Sequence, residues 1–237
     1  RNDTATSATF NPIRCFVPTL KKAIVMAFPG YEELYNIARP SIQVFAHKHG
    51  YDMRTHADNV TTLPPAWNKI IRLIEAFKDG YDVALWLDAD LVIINPSEDI
   101  SVPDAMHQAM VTHNAVNGTN AINSGVWYLR KEALPFLEEV LATGPVTADI
   151  PEWWEQNTIL QVLGISPIFP YAATEPTNAY AQKLFDLDYM WNVAPFTRRG
   201  FASSGFRILH AGGCGSIAQR AGIMRRWIQQ LGPDQLT

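Results

Sequence analysis

Two aspartates separated by one residue, Asp88 and Asp90, follow directly after the apolar run 83–87. Carboxylates at positions i and i+2 of an extended segment lie on the same side, so both can bind one hard divalent cation such as Mg²⁺ or Mn²⁺. A cation held by two carboxylates keeps coordination positions for phosphate oxygens. The pair therefore predicts a metal site that binds a phosphate-containing ligand.

The simpler interpretation of such a pair is two solvated acids at the end of a strand. Here, however, apolar runs flank the pair on both sides, at 85–87 and 91–94, so the acids are expected to be partly buried. A buried carboxylate needs a cation or several hydrogen-bond donors. This context favours the metal-binding interpretation.

The elements around the pair are predicted from hydrophobic periodicity. The apolar run 22–28 stops at Pro29-Gly30 and predicts a buried strand, and the periodicity of 31–48 predicts a helix that Pro40 should kink or divide. Further strands are predicted at 53–56, 83–87, 109–112, 126–129, 168–169 and 207–210, and further helices at 64–77, 131–142, 153–163 and 217–230. This alternation predicts an α/β fold with a mostly parallel central sheet flanked by helices.

The composition is that of a folded domain. A chain of 237 residues with 47% hydrophobic and 18% charged residues can bury a full core, which excludes a disordered chain and a coiled coil. The formal net charge is -4 without a long run of Lys or Arg, so nucleic acid is not expected as a partner. No apolar run reaches the roughly 20 residues of a membrane span. The two cysteines, Cys15 and Cys214, allow at most one disulfide bridge.

Several segments, in their order along the chain, resemble the retaining nucleotide-sugar transferases with a GT-A fold. They are His49 to Asp52, Trp67 to Ile70, Leu85 to Asp90, Asn123 to Val126, Glu155-Gln156 and Leu209 to Cys214. The resemblance is to the galactomannan galactosyltransferase, xyloglucan xylosyltransferase and fungal mannosyltransferase group and, more distantly, to glycogenin-like transferases. It implies one glycosyltransferase domain over 1–237, with nucleotide-sugar binding in 20–115 and acceptor binding in 116–237.

The resemblance also implies the ligands of the site. His210 is expected to join Asp88 and Asp90 on Mn²⁺ or Mg²⁺, although a lone His before two glycines is more often a turn residue. A UDP- or GDP-linked sugar is expected to contact Lys69, Asp88, Ala89, Asn123, Ser124, Gly125 and Gly212. The simpler alternatives are a solvated helix lysine and an ordinary turn at 123–125.

The acceptor, a glycan or glycoconjugate, is expected on the second half of the chain. Asp188 and Trp191 are its predicted contacts, because the segment Phe185 to Asn192 resembles the acceptor side of glycogenin-like enzymes. Trp127, Trp153 and Trp154 offer further aromatic faces for stacking against a sugar, although most tryptophans lie in the core. Since the chain begins at Arg1, a Golgi lumenal location would follow for a eukaryotic protein with an upstream anchor, and a cytoplasmic one otherwise.

By the same resemblance, Glu155 and Gln156 lie beside the anomeric carbon of the donor sugar. Asp149 to Glu152 has the spacing of a capping box, which predicts that both residues fall in the first two turns of a helix. Retention of configuration needs either Glu155 as a nucleophile or attack on the face that the diphosphate leaves, with Gln156 stabilising the sugar cation. Both routes stay open. Asn157 stands where the resembled families commonly have an acid.

Two other functions fit part of the sequence. An apolar strand followed by Asp-x-Asp-x-Val also resembles the nucleophile loop of haloacid-dehalogenase-like phosphatases, in which Asp88 would attack phosphate. Those enzymes need a second acidic pair after an apolar strand, and Asp186 and Asp188 do not follow one. The other alternative is a catalytically silent carbohydrate-binding domain of the same fold. The presence of both acids, Gln156 and His210 argues against it.

Overall fold

The computed structural model describes residues 20–114, 120–168, 178–195 and 205–230. Its strands are β1 (Lys22–Ala27), β2 (Tyr51–His56), β3 (Val83–Leu87), β4 (Leu91–Ile93), β5 (Gln108–Asn114), β6 (Asn120–Arg130), β7 (Leu184–Asp186) and β8 (Ile208–His210). Its helices are α1 (Glu32–His49), α2 (Asn68–Lys78), α3 (Leu134–Thr143), α4 (Glu155–Val162) and α5 (Ile217–Gln230). Short 3-10 turns precede α2, α3 and α4.

The central sheet has six strands in the order β2-β1-β3-β6-β5-β7. Strands β1, β2 and β3 are mutually parallel, β6 is antiparallel to β3 and to β5, and β7 is parallel to β5. Within this sheet, therefore, β6 alone opposes the common direction. The predicted α/β fold with a mostly parallel sheet is confirmed.

Strand β3 shows why the sheet is buried on both faces. Its odd-numbered residues, such as Leu85 and Leu87, pack in a cluster with α1, whereas Ala84 and Trp86 pack in a second cluster with α2 and α3. Since successive side chains of a strand point to opposite faces, helices on both sides bury the whole run. Burial on both faces explains why the sequence of β3 is apolar throughout.

A second, two-stranded sheet positions the acidic pair. Strand β4 begins directly after Asp90 and pairs antiparallel with β8, so Leu91 lies opposite His210. Two backbone hydrogen bonds hold the connection in place: Asp88 N donates to Gly125 O, and Ala211 N donates to Asp90 O. This small sheet brings the end of β3 together with a segment 120 residues further along the chain.

Two local predictions differ from the structure. Helix α1 runs through Pro40 without a break, because Pro40 lies on its exposed side while Ile42 and Phe45 anchor it to the core. The predicted strand at 168–169 is wrong for Ile168, and Phe169 lies outside the described residues. A three-residue strand that was not predicted, β7, lies at one edge of the central sheet, opposite the edge formed by β2. Among the described residues, no helix is long and apolar enough to span a membrane.

Candidate active site

A cleft of about 890 Å³ opens at the carboxyl end of β3. Ligands of open α/β sheets bind at this edge. Its walls come from the end of β1, the start of α1, the acidic pair, the segment 122–125 in β6, the start of α4 and the loop between β8 and α5. Nearly all of the side chains predicted to form the site therefore border one cavity.

The predicted metal ligands lie together at the floor of the cleft. Asp88, Asp90 and His210 each offer one ligand atom, and these atoms lie within 4.8 Å of one another. His210 Nε2 is 3.1 Å from Asp90 Oδ1 and 3.7 Å from Asp88 Oδ2. Two carboxylates and an imidazole are a donor set that suits Mn²⁺ and accepts Mg²⁺. The residues present therefore fit a divalent cation.

The electrostatics of Asp90 point the same way. Burial alone would raise the pKa of Asp90, but His210 and Arg220 outweigh burial and hold the pKa well below its usual range. Arg220 Nη1 donates to Asp90 Oδ2 at 2.9 Å. Asp90 is therefore a buried carboxylate that stays ionised next to cationic groups. Arg220, on α5, was not predicted as a site residue, because no spacing rule links it to the acidic pair.

Two glycines hold the His210 ring in place. A Cβ built on Gly125 would overlap His210 Cε1, and a Cβ on Gly212 would lie 2.7 Å from His210 Nε2. Both glycines were predicted as contacts of the nucleotide sugar. In the structure they also form the walls between which the imidazole lies.

We therefore expect Gly125→Ala to weaken Mn²⁺ binding by about 10-fold or more, because the methyl group displaces a metal ligand. Isothermal titration with MnCl₂ measures this effect. Gly222→Ala on α5 is the matched control, since its Cβ would meet Arg226 only at 3.7 Å. Equal Mn²⁺ affinities in the two variants would contradict the role of Gly125.

A second buried cluster lies beside the metal ligands. Lys69 Nζ donates to Glu155 Oε1 at 2.7 Å and to Ser124 Oγ at 2.9 Å, and it lies 3.3 Å from Asp88 Oδ1. Lys69 and Glu155 are 3% and 4% exposed. Burial alone would lower the pKa of Lys69, but the carboxylates of Asp88 and Glu155 outweigh it and raise the pKa. Lys69 is therefore a fixed positive charge between α2, β6 and α4.

No family model matches the sequence, and no curated protein matches it either. Solved structures match its fold. A glycosyltransferase involved in the glycosylation of the major capsid of PBCV-1 gives a TM-score of 0.64 at 19% identity, over 87% of this chain and 99% of that one. The glycosyltransferase GlyE of Streptococcus pneumoniae TIGR4 gives 0.53 at 12% identity, over 90% of this chain and 64% of that one. The bifunctional glycosyltransferase WbbM gives 0.51 at 11% identity, over 86% and 47%.

The chain has a GT-A fold. It spans nearly the whole of the first of these glycosyltransferases and less than two thirds of the other two. The predicted GT-A fold is thus confirmed. The narrower resemblance to galactomannan galactosyltransferases, xyloglucan xylosyltransferases and fungal mannosyltransferases stays a prediction.

In this GT-A domain, the predicted catalytic pair begins α4. Gln156 borders the cleft, and its Oε1 accepts from the backbone N–H of Ser124 at 3.1 Å. Helix α4 starts at Glu155 after a 3-10 turn, with Trp154 at the unusual φ of 42° and no side-chain cap. The predicted capping box therefore does not open α4, but both residues do lie in its first turn. Asn157 donates to Ile150 O at 2.8 Å and so holds the preceding loop.

The two residues predicted to contact the acceptor, Asp188 and Trp191, do not line the cleft. Asp188 Oδ1 accepts from Met190 N and caps the short 3-10 turn Tyr189–Trp191. Trp191 is 9% exposed and packs in the core against Phe45, with ring centroids 6.5 Å apart. The structure does not bring either side chain to the cleft. Trp127 is 0% exposed and lies in the core, whereas Trp153 and Trp154 do border the cleft.

His113 is a buried histidine that the sequence did not single out. Burial lowers the pKa of His113 to about 4; the charge of His210 adds to this shift, and the hydrogen bond to the Asn192 carbonyl opposes it. His113 is therefore neutral in the folded protein at neutral pH.

This shift predicts an acid-sensitive stability. Between pH 6.5 and 4 the unfolded chain binds a proton at His113 that the folded chain does not, so stability is full above pH 6.5 and falls as the pH is lowered to 4. The loss from this group is about 3 kcal/mol at most. Urea unfolding across this range measures it. His113→Gln should show a shallower slope than the parent protein; an equal slope would contradict the assignment.

Proposed function

We propose that the protein is a metal-dependent glycosyltransferase. It transfers a hexose or pentose from a UDP- or GDP-linked sugar to a hydroxyl group of a glycan or another acceptor, with retention. The observation that carries this proposal is the Asp88, Asp90 and His210 cluster at the floor of the cleft in a GT-A fold. When bound, Mn²⁺ or Mg²⁺ supplies electrostatic stabilisation of the diphosphate leaving group.

The loop between β8 and α5 supports a diphosphate site next to the metal ligands. Gly212, Gly213 and Gly215 border the cleft, and the last two have φ values of 72° and 83°, which side chains other than glycine rarely adopt. Consecutive glycines leave their backbone N–H groups accessible, and the N-terminus of α5 follows directly. This loop contacts the diphosphate in our proposal, together with the positive charge of Lys69.

The contacts of Glu155 support attack on the face that the diphosphate leaves. Its Oε1 accepts from Lys69 and from Ser124 Oγ, and the side chain is almost fully buried. A nucleophilic carboxylate would have to leave this ion pair and approach the anomeric carbon. Glu155 therefore positions Lys69 and Ser124, while Gln156, on the cleft wall, stabilises the positively charged sugar and a phosphate oxygen takes the proton of the acceptor.

The half-exposed rings of Trp153 and Trp154 support an acceptor site at the mouth of the cleft, next to Gln156. Aromatic faces bind the apolar side of a pyranose. We expect Trp153→Ala to raise the KM for the acceptor about 10-fold, the effect of roughly 1.4 kcal/mol of lost contact. Hydrolysis of the donor without acceptor should stay unchanged. An unchanged KM for the acceptor would show that the acceptor does not bind at Trp153.

A donor screen tests the proposed reaction. Thermal shift with UDP- and GDP-linked sugars, with and without MnCl₂, identifies the donor, because a ligand that binds the folded state raises its stability. The selected donor should then release nucleoside diphosphate slowly in the presence of Mn²⁺, even without acceptor. Binding without release would indicate a silent carbohydrate-binding domain. Release of phosphate from simple esters, lost in Asp88→Asn, would indicate a phosphatase.

A further inference from the structure

Asn192 is a buried polar residue directly below the metal ligands. It is 0% exposed and lies between the 3-10 turn Tyr189–Trp191 and β8. Its backbone is fixed on both sides, because its N–H donates to Tyr189 O at 3.1 Å and its carbonyl accepts from His113 Nε2 at 2.6 Å. Its side-chain amide faces Asn123 and His210.

A chain of hydrogen bonds determines which atom of each group donates. The backbone N–H of Gly125 lies 2.9 Å from the Asn123 side chain, and an N–H can only donate, so the Asn123 atom there is Oδ1. The Asn192 atom 2.8 Å from this oxygen must then be Nδ2. It follows that Asn192 presents its Oδ1 to the remaining neighbour, His210.

The same argument determines which nitrogen of the His210 imidazole carries a proton. Asn192 Oδ1 lies 2.9 Å from His210 Nδ1, and a carbonyl oxygen can only accept, so Nδ1 carries a proton. Asp90 Oδ1, 3.1 Å from Nε2, can also only accept, so Nε2 carries a second proton until a cation takes its place. Only the tautomer with the proton on Nδ1 can bind a cation through Nε2. The donor and acceptor roles along these hydrogen bonds all follow from the backbone N–H of Gly125, which can only donate.

We propose that Asn192 is a positioning residue that selects the metal-binding tautomer of His210. The inference rests on the proposed metal-dependent function. Through Asn123, the same amide links the metal ligand to the segment 123–125, which was predicted from the sequence to contact the nucleotide sugar. Hydrogen-bond partners of a ligating histidine commonly contribute to metal affinity in this way.

Titration with MnCl₂ alone, followed by the electron paramagnetic resonance of free Mn²⁺, tests this role. Asn192→Leu keeps the approximate shape but removes the acceptor, and we expect Mn²⁺ affinity to fall about 10–100-fold. Asn192→Asp keeps an acceptor for His210 Nδ1 and should bind Mn²⁺ more tightly than Asn192→Leu. Wild-type affinity in Asn192→Leu would overturn the inference.

A double variant separates positioning from a general structural effect. If Asn192 acts through His210, His210→Gln and the double variant His210→Gln with Asn192→Leu should bind Mn²⁺ equally. A further loss in the double variant would overturn the inference. If His210→Gln itself binds Mn²⁺ as tightly as the parent protein, the proposed metal site fails instead, so the two failures are distinguishable.

A measurement on the unmodified protein covers the case in which the Asn192 variants do not fold. Long-range ¹H–¹⁵N spectra of ¹⁵N-histidine-labelled protein distinguish the two neutral tautomers. With diamagnetic Mg²⁺ bound, the His210 signal, assigned by its absence in His210→Gln, should show the proton on Nδ1 and none on Nε2. A proton on Nε2 would overturn the inference.

Discussion

Asp90→Asn is expected to lower kcat/KM for sugar transfer by at least about 100-fold, the size of effect seen when one charge-stabilising group is removed from an active site. The substitution keeps the shape of the side chain and removes its charge. Asp90 lies within hydrogen-bond distance of both His210 and Arg220, so the amide also places an N–H₂ group against cationic partners. Mn²⁺ affinity and release of nucleoside diphosphate should fall together.

Asp82→Asn is the matched control for this experiment. Asp82 precedes the same strand, β3, at the end opposite to the cleft, and it accepts from the backbone N–H of Lys21 at 2.9 Å. Asp82→Asn should therefore keep the parent Mn²⁺ affinity and turnover. Loss of activity in both variants would point to damage to the strand, whereas full activity in Asp90→Asn would remove the basis of the proposed function.

The parts of the site that could be predicted from the sequence are those governed by local pattern. The apolar run Val83–Leu87 predicts a strand buried on both faces, and acids at its end lie at the ligand-binding edge for reasons of topology alone. His210 was predicted as a metal ligand through the family resemblance. Hydrophobic periodicity could not predict that His210 lies beside Asp90. The two strands that bring these residues together, β4 and β8, have only three residues each.

The parts that could not be predicted depend on contacts between distant segments. Asn192 follows Trp191 in a segment that was predicted to bind the acceptor, yet the turn before it buries Trp191 and directs Asn192 toward His210. Arg220 is separated from Asp90 by 130 residues. No propensity or spacing rule encodes such pairings, since they arise from how the two sheets pack.

Lys69→Met is expected to lower the free energy of unfolding by about 3–5 kcal/mol, the usual effect of removing one partner from a buried ion pair. Methionine has a similar length and no charge. It would leave Glu155, 4% exposed, with only the Ser124 hydroxyl and uncompensated negative charge from nearby Asp88. Urea unfolding measures the loss, and nucleoside diphosphate release should fall in parallel, because the fixed charge beside Asp88 is gone.

The double variant Lys69→Met with Glu155→Gln separates these two effects. Replacing both partners removes the uncompensated buried charge, so more than half of the lost stability should return. Turnover should not return, because no positive charge is restored next to Asp88, which lies 3.3 Å from Lys69 in the parent protein. A double variant as unstable as Lys69→Met would show that the pair is not the source of the stability. Recovered turnover would instead show that Lys69 acts only by neutralising Glu155.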